Sequence, residues 1–313
     1  MGFIDWEKPI NRYIFIGTVV TIIMVIIIIL YLLKTYPYNL QKNIRDIRDN
    51  KKDYNFILDS YTFNNKPYVD HVADMIKLIH IASANSPKLE NDPIKRGKIS
   101  VRLTQIGYST ESRFNNYIDL LEEAKSHNIF VWLSATTSDM RFEEYWSYIR
   151  ALKLGFTNIG ITFAAYRNTS RELAQSIIKE NGTIRLVKGL YNDGDLRKYE
   201  QERQNFINIA IMLLKTKKYH EISTHDMSIL KILNENKNMN DKISFGFYYA
   251  NDGFVERKLK RYKLTGLPNK TYYISYGSVF YQLFKGLLFG NLWKGVRLVY
   301  KSFLDIPNAI NGI

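Results

Sequence analysis

From residue 54 onward, short runs rich in Val, Ile, Phe and Tyr alternate with longer stretches whose apolar positions follow a helical period. The runs predict strands over Phe56–Thr62, Lys98–Gln105, Ile129–Ala135, Asn158–Ala165, Thr183–Tyr191, Glu221–His225, Ile243–Ala250 and Tyr272–Tyr276. Helices are predicted between them, among others over Glu111–Ser126, Phe142–Leu154, Ser170–Glu180 and Leu196–Lys215. Strands that alternate with helices pair in parallel, and eight of them suit a closed (β/α)8 barrel. A doubly wound open sheet is the alternative; no Gly-x-Gly-x-x-Gly follows any strand, so nothing supports a Rossmann dinucleotide site.

Ahead of this alternation the pattern changes. Tyr13 to Leu33 is nearly all apolar, carries no charge and has aromatics near both ends, as a membrane-spanning helix does. The run is too long for a cleaved leader, and no small-residue cleavage site follows it. Lys8 and Arg12 precede it, whereas Lys34, Lys42, Arg45, Arg48, Lys51 and Lys52 follow, which predicts a single-pass protein with its C-terminal domain in the cytoplasm. Residues 34–53 read as a juxtamembrane linker or helix against anionic lipid, and residues 54–313 as the barrel domain, ending in a basic C-terminal helix.

Composition narrows the chemistry. The chain has no cysteine, which excludes disulfides, thiolate metal sites and cysteine nucleophiles. The formal charge is +14, from 44 Lys and Arg against 30 Asp and Glu, and it is spread along the chain. With a membrane segment present and no nucleic-acid motif, membrane lipid is the expected anionic partner and nucleic acid is not expected. Walker, Gly-x-Ser-x-Gly and Ser-x-x-Lys patterns are absent, and no histidine pair stands at metal-ligand spacing, so no metal site is expected.

Barrel enzymes work where their strands end. The predicted ends gather Arg102, Thr104 and Gln105; Ser134, Thr136 and Thr137; Tyr166; Arg185, Lys188 and Tyr191; Thr224, His225 and Asp226; Tyr248, Tyr249 and Tyr276. Asp226 is the only carboxylate expected in this crown. Arg185 and Lys188 on one strand could hold an electron-rich ring and a phosphate, or be an ordinary surface or ion-paired set. His225 could touch a ligand or cap a turn.

Ile184 to Tyr191, with Arg185-Leu186-Val187-Lys188-Gly189 at its heart, resembles the Arg-Leu-Val-Lys-Gly-Ala-Tyr signature of flavin-dependent proline dehydrogenases. Other strand ends follow the same family in order and spacing: Ser100-Val101-Arg102-Leu103, Val131-Trp132-Leu133-Ser134, Ala165-Tyr166, Thr224-His225-Asp226, Phe245 to Ala250, and Tyr273 to Gly277. Asn291-Leu292-Trp293 resembles the tail of the bacterial single-function enzymes. The resemblance implies a distorted (β/α)8 barrel, non-covalent FAD, and oxidation of proline or a related cyclic amine with electrons passing to quinone. It implies that Arg185, Lys188, Gly189, Thr224 and His225 contact FAD and that Tyr191 and Tyr249 wall the substrate pocket. Departures accompany it. Arg102 stands where the family has a lysine, Ser134 where it has the partner aspartate, and Ala164 where it has a flavin-facing glutamine. Gly286 and Leu287 stand where paired arginines clamp the substrate carboxylate, with Lys285 adjacent as a single substitute cation. A rebuilt pocket makes Arg102 the cation for an anionic substrate group and places Arg185, Arg102 and Tyr249 in the catalytic set, with Arg102, Tyr191, Tyr249 and Lys285 binding substrate. The alternative is a degenerate, non-catalytic barrel that binds flavin or protein.

Overall fold

Parallel pairing runs from each strand to the next and back to the first. The order of the computed structural model is β1 (Tyr54–Tyr61), α1 (Tyr68–Ala84), β2 (Lys98–Val101), α2 (Leu103–Ile106), α3 (Thr110–Ser126), β3 (Phe130–Leu133), α4 (Arg141–Lys153) and β4 (Ile159–Ala164). It continues with α5 (Ser170–Lys179), β5 (Ile184–Val187), α6 (Tyr199–Leu214), β6 (His220–Ser223), α7 (Met227–Asn234), β7 (Ile243–Tyr248), α8 (Phe254–Arg261) and β8 (Lys270–Gly277). The eight strands form a closed barrel in sequence order, sealed by β1 and β8 over Tyr54↔Lys270 to Tyr61↔Gly277. This is the predicted architecture.

The structure describes residues 54–277 apart from 62–67, 87–91, 137, 189–195, 197–198, 237–240 and 250–252, together with helical residues Leu40, Asn43, Ile44, Arg45 and Ile47. The expected membrane helix at 13–33 and the expected C-terminal basic helix lie outside the described residues. Among those described, no helix is long and apolar enough to cross a membrane. Within the stretch 34–53, Ile44 and Ile47 belong to the buried apolar core.

The helices form because their apolar residues fall on one face. In α1 the buried positions are His71, Met75, Leu78, Ile79 and Ala82, the i, i+4, i+7 spacing of a single stripe. Local chemistry fixes their ends. Ser109 accepts from the backbone N–H of Ser112 while the Ser112 hydroxyl accepts from the N–H of Ser109, a reciprocal cap on α3. Asn128 after α3 and Asn181 after α5 adopt φ of 56° and 60°, a left-handed turn that asparagine tolerates and that returns the chain to the next strand.

Two apolar clusters result. The large one lies between barrel and helices; the small one, Ile57, Phe130, Trp132, Tyr219 and Tyr273, lies inside the barrel. Gly160 marks the boundary: a side chain there would collide with the Trp132 ring, so the lumen is filled by the indole. The rings of Phe130, Trp132 and Tyr219 pack against one another with centroids 5.0–5.8 Å apart, Phe130 edge-on to both others, and Lys98 donates to the carbonyls of Ile94 (2.7 Å) and Arg96 (3.0 Å) beside them. One end of the barrel is thus packed shut, and ligand chemistry is left to the end where the strands finish.

The predicted strands overrun at that end. Lys98–Gln105 stops at Val101 and continues as α2, and Glu221–His225 stops at Ser223, because Asp226 caps the start of α7. Past β2 the apolar residues Leu103 and Ile106 continue the run, so period alone does not reveal where that strand ends.

Candidate functional site

At the strand ends, charged side chains point into the lumen in matched pairs. Arg102, just past β2, donates through both terminal nitrogens to the two oxygens of Asp59 on β1, each at 2.7 Å. Asp59 is wholly buried. Such a bidentate pair is stiff and strongly held. Arg102, expected to serve as the cation for a substrate anion, has a carboxylate of its own in Asp59. Ser134, at the position of the family's aspartate, hydrogen-bonds Ser100 instead, and the Tyr273 hydroxyl donates to Ser100 at 3.4 Å.

Arg185 on β5 is 5% exposed and lies beside Glu221 of β6, its direct register partner. Its Nε is 2.9 Å from Glu221 Oε1 and 3.2 Å from Ser223 Oγ, and Ser223 in turn donates to Glu221 at 2.8 Å. The guanidinium carbon sits 4.2 Å from the centre of the Tyr273 ring on β8. Burial opposes the charge, yet Glu221, Tyr273 and Tyr248 outweigh it and hold the Arg185 pKa above its ordinary value. Gly246 makes room for this group: a side chain there would strike Ser223 and Glu221. Asp226 is therefore not the only carboxylate in the crown; Asp59 and Glu221 are two more, each fully buried against an arginine.

The other rim residues also have protein partners. Lys188 pairs with Asp226 at 2.7 Å. Asp226 accepts from the N–H of Ser228 at 3.1 Å, and Thr224 Oγ1 accepts from the N–H of Asp226 at 3.1 Å. His225 Nε2 accepts from the backbone N–H of Tyr248 at 2.9 Å, and its ring stacks on Tyr248 with 11° between planes. Burial and Lys258 push His225 down to about 4, so it is neutral at physiological pH and acts as a hydrogen-bond acceptor.

Tyr249 requires a correction. It is 6% exposed, belongs to the cluster between barrel and helices and packs edge-on against Tyr272 at 5.3 Å. The rim aromatic is its neighbour Tyr248, 49% exposed and edge-on to Tyr273 at 5.3 Å. Successive strand residues face opposite ways, so an error of one residue moves a side chain from lumen to helix layer. Gly189, Tyr191 and Lys285 lie outside the described residues. Glu221 and Asp59, which the sequence reading left out of the site, were signalled only as acidic residues inside strands.

No family model matches the chain, and no curated protein matches it. Solved structures do. The crystal structure of proline utilization A from Bdellovibrio bacteriovorus inactivated by N-propargylglycine is similar over 74% of this chain and 29% of its own, with a TM-score of 0.62 and 16% identity. A variant of proline utilization A from Bradyrhizobium japonicum is similar over 79% of this chain and 29% of its own, at a TM-score of 0.63 and 13% identity. Proline utilization A with proline bound in remote sites covers 82% of this chain and 30% of its own, at 0.62 and 14%. The likeness establishes a shared barrel fold. The chain spans less than a third of the length of these neighbours.

Proposed function

We propose that this chain is a membrane-tethered, FAD-dependent oxidoreductase of the proline dehydrogenase type, acting on proline or a related cyclic amine and delivering electrons to quinone. The observation that carries the reading is Arg185, a buried lumen-facing guanidinium on β5 kept charged by Glu221, within the segment most like the family signature. The likeness to structures of proline utilization A supports the substrate class. The tether and the quinone rest on the apolar run Tyr13 to Leu33.

The side chains present fit the ring of a flavin better than its diphosphate. Arg185 offers a cation to a ring edge that gains negative charge. Thr162, its register partner on β4, carries a buried hydroxyl without a hydrogen-bond partner, and Glu221 Oε2 is likewise unpartnered. Lys188 would reach a phosphate only by sharing it with Asp226. Bound FAD would supply the hydride acceptor. The chain's own residues orient and exclude water: Glu221 fixes Arg185, and Tyr248 lines the mouth. With FAD in place, a cyclic amine would give up hydride from the carbon next to its nitrogen and the N–H proton to water, leaving an imine. A substrate carboxylate would have to compete with Asp59 for Arg102, which favours cyclic amines that rely less on such an anchor than proline does.

The test is reconstitution with FAD followed by anaerobic titration with proline, hydroxyproline and uncharged cyclic amines. Bleaching by at least one is expected, and Arg185→Met should weaken flavin binding or slow bleaching. A protein that takes up no flavin refutes the proposal. The second reading, a barrel that binds flavin or protein without turnover, is favoured by rim pairs that close on each other; a flavin-loaded protein that no amine bleaches selects it.

A further inference from the structure

Away from the barrel mouth, α1 and α3 bring together two imidazoles and a carboxylate. His80 lies in α1; Glu123 is in the last turn of α3 and His127 is its C-cap, four residues on and on the same face. His80 Nε2 is 2.8 Å from Glu123 Oε1, and His127 Nδ1 is 3.5 Å from the same oxygen. The two rings lie 4.7 Å apart with 30° between planes. One ligand atom from each of the three residues lies within 4.8 Å of the others.

We propose that His80, Glu123 and His127 form a divalent transition-metal site, with zinc the best fit. Two imidazoles and one carboxylate suit a borderline ion of this class, and a tetrahedral site with bonds of about 2.1 Å places its ligand atoms about 3.3–3.5 Å apart. His80 Nε2 and Glu123 Oε1, at 2.8 Å, and a third ligand atom within 4.8 Å of both lie close enough for small side-chain rotations to reach that spacing. The site also has the outer support that metal histidines use. His127 Nδ1 is 3.0 Å from the Glu123 carbonyl, which can only accept, so Nδ1 carries the proton and Nε2 keeps its lone pair for the ion. Ser126 Oγ, 2.9 Å from the same nitrogen, steadies the ring. The ion replaces the proton between His80 and Glu123, which moves to His80 Nδ1 or to solvent. The side chains are 55%, 34% and 34% exposed, so an ion reaches them from solvent and water completes its coordination. Spanning α1 and α3, the ion links the first two βα units of the barrel.

Zinc chloride titrated calorimetrically into the full chain should bind as one equivalent with a Kd of about 10 µM or tighter. His80→Ala and Glu123→Gln should each weaken binding at least tenfold while the metal-free proteins melt like the parent. Saturating zinc should raise the melting temperature of the parent and leave that of His80→Ala unchanged. No saturable binding below about 100 µM, or a full equivalent retained at parent affinity by His80→Ala, overturns the proposal.

Discussion

Glu221→Gln removes a charge while preserving shape, and its consequence follows from what surrounds it. Glu221 is fully buried and its Oε1 accepts from Arg185 at 2.9 Å and from Ser223 at 2.8 Å. Glutamine keeps an acceptor but leaves the guanidinium without a counter-charge. Breaking a buried ion pair at one end costs roughly 3–5 kcal/mol, and the retained hydrogen bond puts this case near 3. Lys98 moderates the loss: burial lowers it to about 7 against the pull of Glu221, so without Glu221 it sheds its proton rather than remain a second unpaired cation. For a domain of this size, about 3 kcal/mol corresponds to roughly 6–12 °C in melting temperature. Urea unfolding should show a lower midpoint with an unchanged slope. Arg185→Met alone should also destabilise, and Arg185→Met with Glu221→Gln should cost at least about 1.5 kcal/mol less than the two single changes summed. An additive double variant, or a Glu221→Gln cost below about 1 kcal/mol, refutes the idea that the two form one buried unit.

Three further outcomes are expected. His220 is fully buried, its Nδ1 accepts from the Ile184 N–H at 3.0 Å, and burial with Lys218 pushes its pKa from 6.5 to about 3. The unfolded chain therefore takes up the proton first, and stability falls from about pH 6.5 downward by up to about 1.4 kcal/mol per pH unit. His225 adds a second contribution of the same sign down to about 4, so His220→Gln should roughly halve the fall in urea midpoint between pH 7 and 5, and an unchanged fall refutes the assignment. Gly246→Ala should destabilise by about 1–3 kcal/mol through its collision with Ser223 and Glu221, and a neutral result in urea unfolding would show that the lumen has slack there. Tyr249→Ala should cost about 3 kcal/mol and Tyr248→Ala less than about 1.5, since only the first ring is buried; a reversed order in the same assay contradicts the facing of β7.

The barrel was legible because each strand is a short β-branched or aromatic run and each helix a separate apolar stripe, both local properties. The site was legible in part. Lys188 and His225 were found at strand ends and Arg185 deeper on its strand, but their partners are set by register between strands, which no local pattern encodes: Glu221 faces Arg185 because β5 and β6 align at that rung. The choice between Tyr248 and Tyr249 failed for a different reason. Two adjacent residues of one type give an alternating pattern nothing to distinguish, so the inward ring is known only from the ladder to β8. His80 and His127, 47 residues apart, come together only because α1 and α3 are neighbouring helices in the ring.

The seam between β1 and β8 has a consequence for synthesis. Tyr54 pairs with Lys270, so the first strand waits for a partner made some 216 residues later. At the roughly 5–20 residues per second at which chains are made, that wait is on the order of 10–40 s. Throughout it β1 presents an open hydrogen-bonding edge on the growing polypeptide, which is the interval in which a chaperone or a stray strand can capture it.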